Sequence, residues 1–150
     1  MALTGTYDRN LDEKQRLALP KRLRDEFGES ELTSFYIAPG LDRSLAIYSP
    51  AGFERLARKV ARNSGQPAKL RTFKRLFYSQ AEKVDLDAQG RIRIPERLAK
   101  LAGLERDVVL LGVHDHAEIW NVETWRQFMT THAPDFDQIS DAAFEEPDRL

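Results

Sequence analysis

No cysteine occurs among the 150 residues, so neither a disulfide framework nor a thiolate metal site is available. No stretch approaches the roughly 18 apolar residues of a membrane-spanning helix. The opening MALTGTYDRN has no basic segment followed by an apolar one, so no signal peptide is expected. Histidine is scarce, and two of the three residues fall in His114-Asp115-His116. A His-x-His pair on a strand puts both rings on one face, but no third ligand group accompanies it, and a plain turn is expected there rather than a metal site. There is no Gly-rich phosphate loop and no Gly-x-Ser-x-Gly elbow, and the spacing of Ser79, Asp87 and His114 does not support a triad. These absences point away from an enzyme: no catalytic residue, metal, cofactor, small-molecule substrate or membrane partner is expected.

What is present is enough for a packed core, with 41% hydrophobic residues, in one ordinary domain or two small ones. The formal net charge of −1 argues by itself against a nucleic-acid partner, but the charges are unevenly spread. Residues 1–83 carry 16 Lys/Arg against 10 Asp/Glu, and residues 84–150 carry 7 against 14. A basic surface in the first half and an acidic tail are expected, although two solvated faces that pair with each other would give the same counts.

The chain repeats itself. Leu11-Asp12-Glu13-Lys14-Gln15-Arg16-Leu17-Ala18-Leu19-Pro20-Lys21-Arg22-Leu23 aligns, 75 residues on, with Leu86-Asp87-Ala88-Gln89-Gly90-Arg91-Ile92-Arg93-Ile94-Pro95-Glu96-Arg97-Leu98. Six of the 13 positions are identical, an extent that chance does not produce, so the chain is a duplication. Downstream, Gly40-Leu41 through Ile47-Tyr48 aligns with Gly112-Val113 through Ile119-Trp120 at a spacing of 72, which places an insertion near Glu29–Phe35. Phe53 then falls opposite Trp125, and Leu56 opposite Phe128.

Each copy predicts the same order of elements. A strand (Thr4–Asn10, Ala81–Leu86) leads through a polar turn (Asp12–Gln15, Asp87–Gly90) into a second strand, where Leu17 and Leu19, or Ile92 and Ile94, alternate onto one face. Pro20 and Pro95 end that strand and open short helices (Pro20–Glu26, Pro95–Leu101), closed by Gly28 and Gly103. Two further strands follow (Ser34–Ala38 and Leu45–Tyr48; Asp107–Leu111 and Ala117–Trp120). An amphipathic helix ends each copy, Pro50–Asn63 and Val122–Thr131. Trp120 and Trp125 are expected in the core. Pro67–Ser79 predicts one more helix, with Lys69, Arg71, Lys74 and Arg75 among its apolar residues. Residues 134–150 hold six acidic residues and one basic, and a flexible tail is expected. The domains read as a first repeat over 4–63, a connecting basic helix over 64–80, a second repeat over 81–131 and the acidic tail over 132–150. One short module cannot bury both faces of its strands, so the copies should pack about a pseudo-two-fold axis. Non-identical copies in one chain can also make head-to-tail contacts that close into a ring, and a homo-oligomer is expected.

The repeated turn carries the chemistry. Asp-x-x-x-Arg sets a carboxylate and a guanidinium on either side of a tight turn. Asp12 and Asp87 fit a structural role, accepting backbone N–H groups or pairing with Arg16 and Arg91. A turn that presents Lys14, Arg16, Lys21 and Arg22 close together also fits a phosphate-binding surface, and an arginine there can form a bidentate contact with guanine. The acidic neighbours of Arg91 predict a larger share of DNA contact for the first copy. DNA-binding candidates are therefore Lys14, Arg16, Lys21, Arg22 and Arg91, with Asp12 and Asp87 as structural turn residues.

Gly-x-Tyr…Asn-Leu-Asp-x-Lys-x-Arg-Leu-x-Leu-Pro in the first copy and Val-x-Leu-Asp-x-x-Gly-Arg-Ile-x-Ile-Pro in the second resemble the MraZ family, as do Gly-Leu-Asp…Leu-x-Ile-Tyr and Glu-Ile-Trp; the resemblance runs from Gly5 to Phe128. It implies an α+β, β-rich fold of two tandem swapped-hairpin AbrB-like modules, an intrachain pseudo-dimer with flanking helices. It also implies ring-like oligomers and a cytoplasmic, nucleoid-associated regulator. Such a regulator binds repeated double-stranded DNA elements upstream of the division and cell-wall gene cluster and represses it, its own gene included. An oligomeric structural or interaction protein with non-specific DNA contact is the alternative. One departure stands out: the family usually has Gly before the first signature Arg, where this chain has Gln15, so the geometry of the first turn depends on whether that position needs φ > 0.

Overall fold

The period-2 runs of each copy form short strands, and the 3.6-period runs form helices. In the computed structural model, which describes residues 2–146, the first copy supplies β1 (Thr6–Asn10), β2 (Arg16–Ala18), α1 (Lys21–Glu26), β3 (Ser34–Pro39), β4 (Leu45–Tyr48) and α2 (Pro50–Ala61). After α3 (Pro67–Tyr78), the second copy supplies β5 (Glu82–Asp85), β6 (Arg91–Arg93), α4 (Glu96–Leu101), β7 (Asp107–Gly112), β8 (Ala117–Asn121) and α5 (Val122–His132). The expected elements are all present, with no end shifted by more than two residues.

The copies are interleaved. Six strands form one antiparallel sheet in the order β1-β7-β8-β4-β3-β5, so each copy lends its first strand to the other copy's hairpin. β2 and β6 pair separately as a two-stranded ribbon. Leu17 faces its own repeat equivalent, Ile92, across that ribbon, and Ala46 faces its equivalent, Glu118, at the centre of the sheet. A pseudo-two-fold axis therefore passes through both pairs. The cross-strand pair Tyr7–Leu110 recurs as Glu82–Ile37, which superposes β3 on β7 at a spacing of 73. The expected single three-residue insertion is thus two events. The loop between α1 and β3 is two residues longer than that between α4 and β7, and the β3–β4 turn is one longer than the β7–β8 turn.

The main core lies between the ribbon and one face of the sheet. Leu17, Ile92, Leu23 and Leu98 from the ribbon side meet Phe35, Ile37, Leu45, Ile47, Leu110 and Ile119 from the sheet, all with no exposure. Full burial of such a side chain contributes about 1.5–3 kcal/mol, which makes this interleaved layer the main source of stability. On the other face α5 covers Val109, Leu111 and Trp120 with Val122, Trp125 and Phe128. At the equivalent place in the first copy, Phe53 of α2 stacks on Tyr36 at 4.3 Å between centroids. The expected matches of Phe53 with Trp125 and of Leu56 with Phe128 thus describe real equivalent positions. Ser49 caps α2 by accepting the Gly52 N–H, and Asn121 caps α5 by accepting those of Glu123 and Thr124.

The tail differs from expectation. Ala133–Asp135 form a turn of 3-10 helix and Phe136–Phe144 form α6. Phe136, Ile139 and Ala143 recur at helical spacing, and Asp135 and Asp137 stand where the helix dipole favours negative charge; the high acidic content masked that pattern. Residues 147–150 of the tail lie outside the described residues. No helix among the described residues is long and apolar enough to cross a membrane.

The His114 backbone and the His116 side chain are both tied into the fold. The His114 backbone exchanges two hydrogen bonds with Leu3, each 2.8 Å. His116 is half-buried, with Nδ1 2.7 Å from Asp115 Oδ1, Nε2 3.3 Å from Glu118 Oε2, and its ring 5.2 Å from that of Tyr48. Burial opposes the imidazolium charge, but the hydrogen bonds to Glu118 and Asp115 outweigh it and raise the pKa above 6.5. Tyr48 is pushed up to about 12 by burial and by the nearby Asp115 and Glu118. A raised folded pKa means that charged His116 contributes fully below pH 6.5 and that this contribution is lost as pH rises through the folded value. The urea midpoint of the wild type should therefore fall as pH rises above about 6.5, and His116→Gln should flatten that fall; equal slopes for the two proteins would remove His116 as the cause.

Candidate nucleic-acid interface

The turn before β2 is built around one carboxylate. Asp12 Oδ1 accepts the backbone N–H groups of Lys14 and Arg16, each at 2.9 Å, and Oδ2 accepts Arg16 Nε–H at 2.6 Å. The second copy repeats the arrangement. Asp87 Oδ1 accepts from Gln89 and Arg91 at 2.9 Å, and Oδ2 accepts Arg91 Nε–H at 2.9 Å. The backbone hydrogen bonds from Arg16 and Arg91 are the largest influence on the two carboxyls. Burial works against them, and side-chain bonding from the same arginines adds to them, so both pKa values lie below 3.8. A depressed folded pKa stabilises the turns above the ordinary aspartate value and fails as pH falls through the folded one. Each carboxylate thus bridges two backbone N–H groups and one guanidinium across its turn.

The two turns lock into the ribbon from opposite ends. The Ile94 N–H donates to Gln15 O at 2.8 Å, and the Leu19 N–H donates to Gly90 O at 3.0 Å. Side chains alternate along the ribbon: Leu17 and Ile92 point into the core, and Arg16, Ala18, Arg91 and Arg93 point away from it. Arg16 stands opposite Arg93, and Arg91 opposite Ala18. Arg16 and Arg91 are about a third exposed, each with its Nε held by its own aspartate. Among the described residues no hydrogen bond engages the Nη groups of Arg16, whereas Arg91 Nη2 donates to Gln89 Oε1 at 3.3 Å and its Nη1 lies 3.8 Å from Asp12 Oδ2. A guanidinium fixed through Nε keeps two outward N–H groups in the fork geometry that matches phosphate or guanine.

Of the candidate residues, the fold brings Arg16, Arg91, Asp12 and Asp87 together, with Lys14 at the rim, where its carbonyl accepts Arg93 Nε–H at 3.1 Å. Lys21 and Arg22 lie instead on the exposed surface of α1, paired with Asp25 and Glu26 at 2.9 and 3.2 Å. Arg93 was missed, although the alternation Arg91-Ile92-Arg93-Ile94 already places it beside Arg91. Arg24 reaches both copies: its Nε–H donates to Leu19 O, and its guanidinium packs against Gly90.

The fold and its paired turns define a fused pseudo-dimer of swapped-hairpin modules of the AbrB type. A family model described as "MraZ protein, putative antitoxin-like" matches the chain twice, over 2–76 and 77–146. Relatives named "Transcriptional regulator MraZ" include that of Finegoldia magna, 34% identical over 135 residues, covering 90% of this chain and 92% of that one. The protein of Heliobacterium modesticaldum is 36% identical, covering 91% and 93%, and that of Thermomicrobium roseum is 39% identical, covering 81% and 82%. The chain belongs to the MraZ family.

The departure at Gln15 has a geometric answer. Gln15 has φ 61° and Gly90 has φ 78°, so both copies form the same turn and Gln15 occupies a left-handed conformation that favours glycine. A Cβ at Gly90 would meet the Arg24 guanidinium at 3.2 Å. The repeat equivalent of Arg24 is Ala99, which leaves room for the Gln15 side chain. Relief of the left-handed cost, partly offset by a looser unfolded chain, should make Gln15→Gly more stable by about 0.5 kcal/mol, and Gly90→Gln should cost about 1–2 kcal/mol. Urea denaturation checks both; equal and opposite effects would show that Arg24 plays no part.

Proposed function

We propose that the chain is a sequence-specific DNA-binding transcription regulator, not an enzyme, which acts in the cytoplasm at the nucleoid. It assembles as a homo-oligomeric ring and binds repeated promoter elements, repressing the division and cell-wall gene cluster together with its own gene. The observation that carries this reading is the ribbon face with Arg16, Arg91 and Arg93 projecting from a backbone anchored by Leu17 and Ile92. A two-stranded ribbon fits the major groove. Arg16 makes the base contact, because Asp12 takes its Nε–H and its Nη groups remain for a bidentate bond. Lys14, Lys21 and Arg22 contribute phosphate contacts that orient the chain on the duplex. Arg91 contributes less, since Asp87, Gln89 and Asp12 surround it. A ring adds avidity on repeated sites, offsetting the near-neutral net charge.

Gel retardation on the DNA upstream of the protein's own gene, against a scrambled duplex, tests specificity; equal retardation of both leaves an oligomer with non-specific contact. At fixed salt, Arg16→Ala should lose about 1–3 kcal/mol of operator binding with the oligomer mass unchanged, and Arg91→Ala should lose less. If Arg16→Ala binds as tightly as the wild type, or loses binding only as the oligomer dissociates, the arginine serves the turn alone.

A further inference from the structure

The ribbon has four outward positions, and the duplication fills only two of them alike. Arg16 and Arg91 are repeat equivalents, whereas Arg93 stands where the first copy has Ala18. The turn residue beside Arg93 is Lys14, and its equivalent in the other turn is the uncharged Gln89. One corner of the ribbon therefore carries two cations that the other corner lacks. Arg93 lies outside the Asp-x-x-x-Arg turn and is held across the copies: its Nε–H donates to the Lys14 carbonyl at 3.1 Å. Ile92 and Ile94 on either side of it are buried and fix its backbone. Among the described residues no hydrogen bond or ion pair engages the Nη groups of Arg93 or the Lys14 ammonium. Arg16 faces Arg93 directly across the ribbon, and like charges so placed disfavour strand pairing. Asp12 offsets the charge of Arg16, but among the described residues no carboxylate pairs with Arg93. A polyanion laid along this corner relieves the repulsion.

We propose that Arg93 is a specificity-determining residue, which reads the base pair next to the one that Arg16 reads. The proposal rests on the DNA-binding reading above and adds a second base contact to it. Side chains directly opposite on paired strands have Cβ atoms about 4.5–5.5 Å apart, and base pairs are stacked at about 3.4 Å. Two guanidinium groups extended from positions 16 and 93 therefore reach neighbouring base pairs. Arg91 is the diagonal neighbour of Arg16, at about 7–8 Å, and its fork is engaged by Gln89 and lies close to Asp12. Arg16 and Arg93 are each tied at Nε, and each keeps its Nη pair for a bidentate contact with a base edge. Recognition is concentrated at the corner where both forks stand, and the corner with Ala18 and Gln89 serves orientation.

Binding of the full chain at fixed salt, to the DNA upstream of its own gene and to a scrambled duplex of equal length, tests this. Arg93→Ala should bind the upstream duplex about ten-fold or more weakly and change binding of the scrambled duplex by no more than about two-fold. Arg93→Lys keeps the charge but not the fork, and it should be as weak as Arg93→Ala. So should Ala18→Arg combined with Arg93→Ala, which moves the charge to the other corner. On upstream duplexes that each carry one changed base pair, Arg93→Ala should lose the wild-type preference at one position, next to the position where Arg16→Ala loses it. The urea midpoint and the mass by light scattering should stay those of the wild type. Upstream binding by Arg93→Ala equal to that of the wild type overturns the assignment. Full recovery in Arg93→Lys or in the relocation variant overturns it too, and makes Arg93 a phosphate contact. A loss that comes with a lower urea midpoint also overturns it, and makes the bond to Lys14 a tie between the copies. All three leave the regulator reading intact. Equal binding of both duplexes by the wild type overturns that reading and the role of Arg93 with it.

Discussion

Leu17 and Ile92 face each other across a ribbon only three residues long on each side, and the molecule is organised around that pair. Neither strand has another partner, and neither leucine-type side chain has a core to enter unless the two copies meet. The pair brings both turns into hydrogen-bonding distance of the opposite strand, fixes the axis on which the sheet is centred, and forces the remaining residues of the ribbon outwards. The arginines are exposed because the aliphatic residues between them are buried. Stability and the projecting basic face are thus two sides of one alternation, and a change that loosens the ribbon core displaces the guanidinium groups as well.

Much of this was legible in the sequence because it depends on local rules. Asp12 and Asp87 announce turns, Pro20 and Pro95 end strands, and the alternation of Leu17 with Leu19 assigns a face. The duplication made each assignment twice. What a linear reading could not supply was the exchange of strands: nothing in Thr6–Asn10 states that its partner is Asp107–Gly112 of the other copy rather than its own hairpin. Arg24 and Gly90 were unreadable for the same reason, being 66 residues apart and brought together by the swap. Lys21 and Arg22 lie near Arg16 in sequence, but Pro20 turns the chain away from the ribbon and sets them on α1 instead. The helix at the acidic tail was overlooked because composition outweighed the spacing of Phe136, Ile139 and Ala143.

The copies have diverged where the swap lets them. Gln15 coexists with Ala99, and Gly90 with Arg24; the partner residues lie in opposite halves of the chain, so each pair changes without constraining the other. Arg16 is tied at one nitrogen, whereas Arg91 is held at two and lies close to a second carboxylate. The helices that follow the two repeats carry opposite charge. A homodimer of a single module would need one residue to serve in both environments at each of these positions, and fusion into one chain removes that requirement.

This inequality has a consequence for what the ribbon can recognise. A true two-fold dimer presents identical ends to the duplex and is matched by a palindrome. On the DNA-binding reading proposed above, a chain whose Arg16 end differs from its Arg91 end would be matched by a target with polarity rather than by a palindrome.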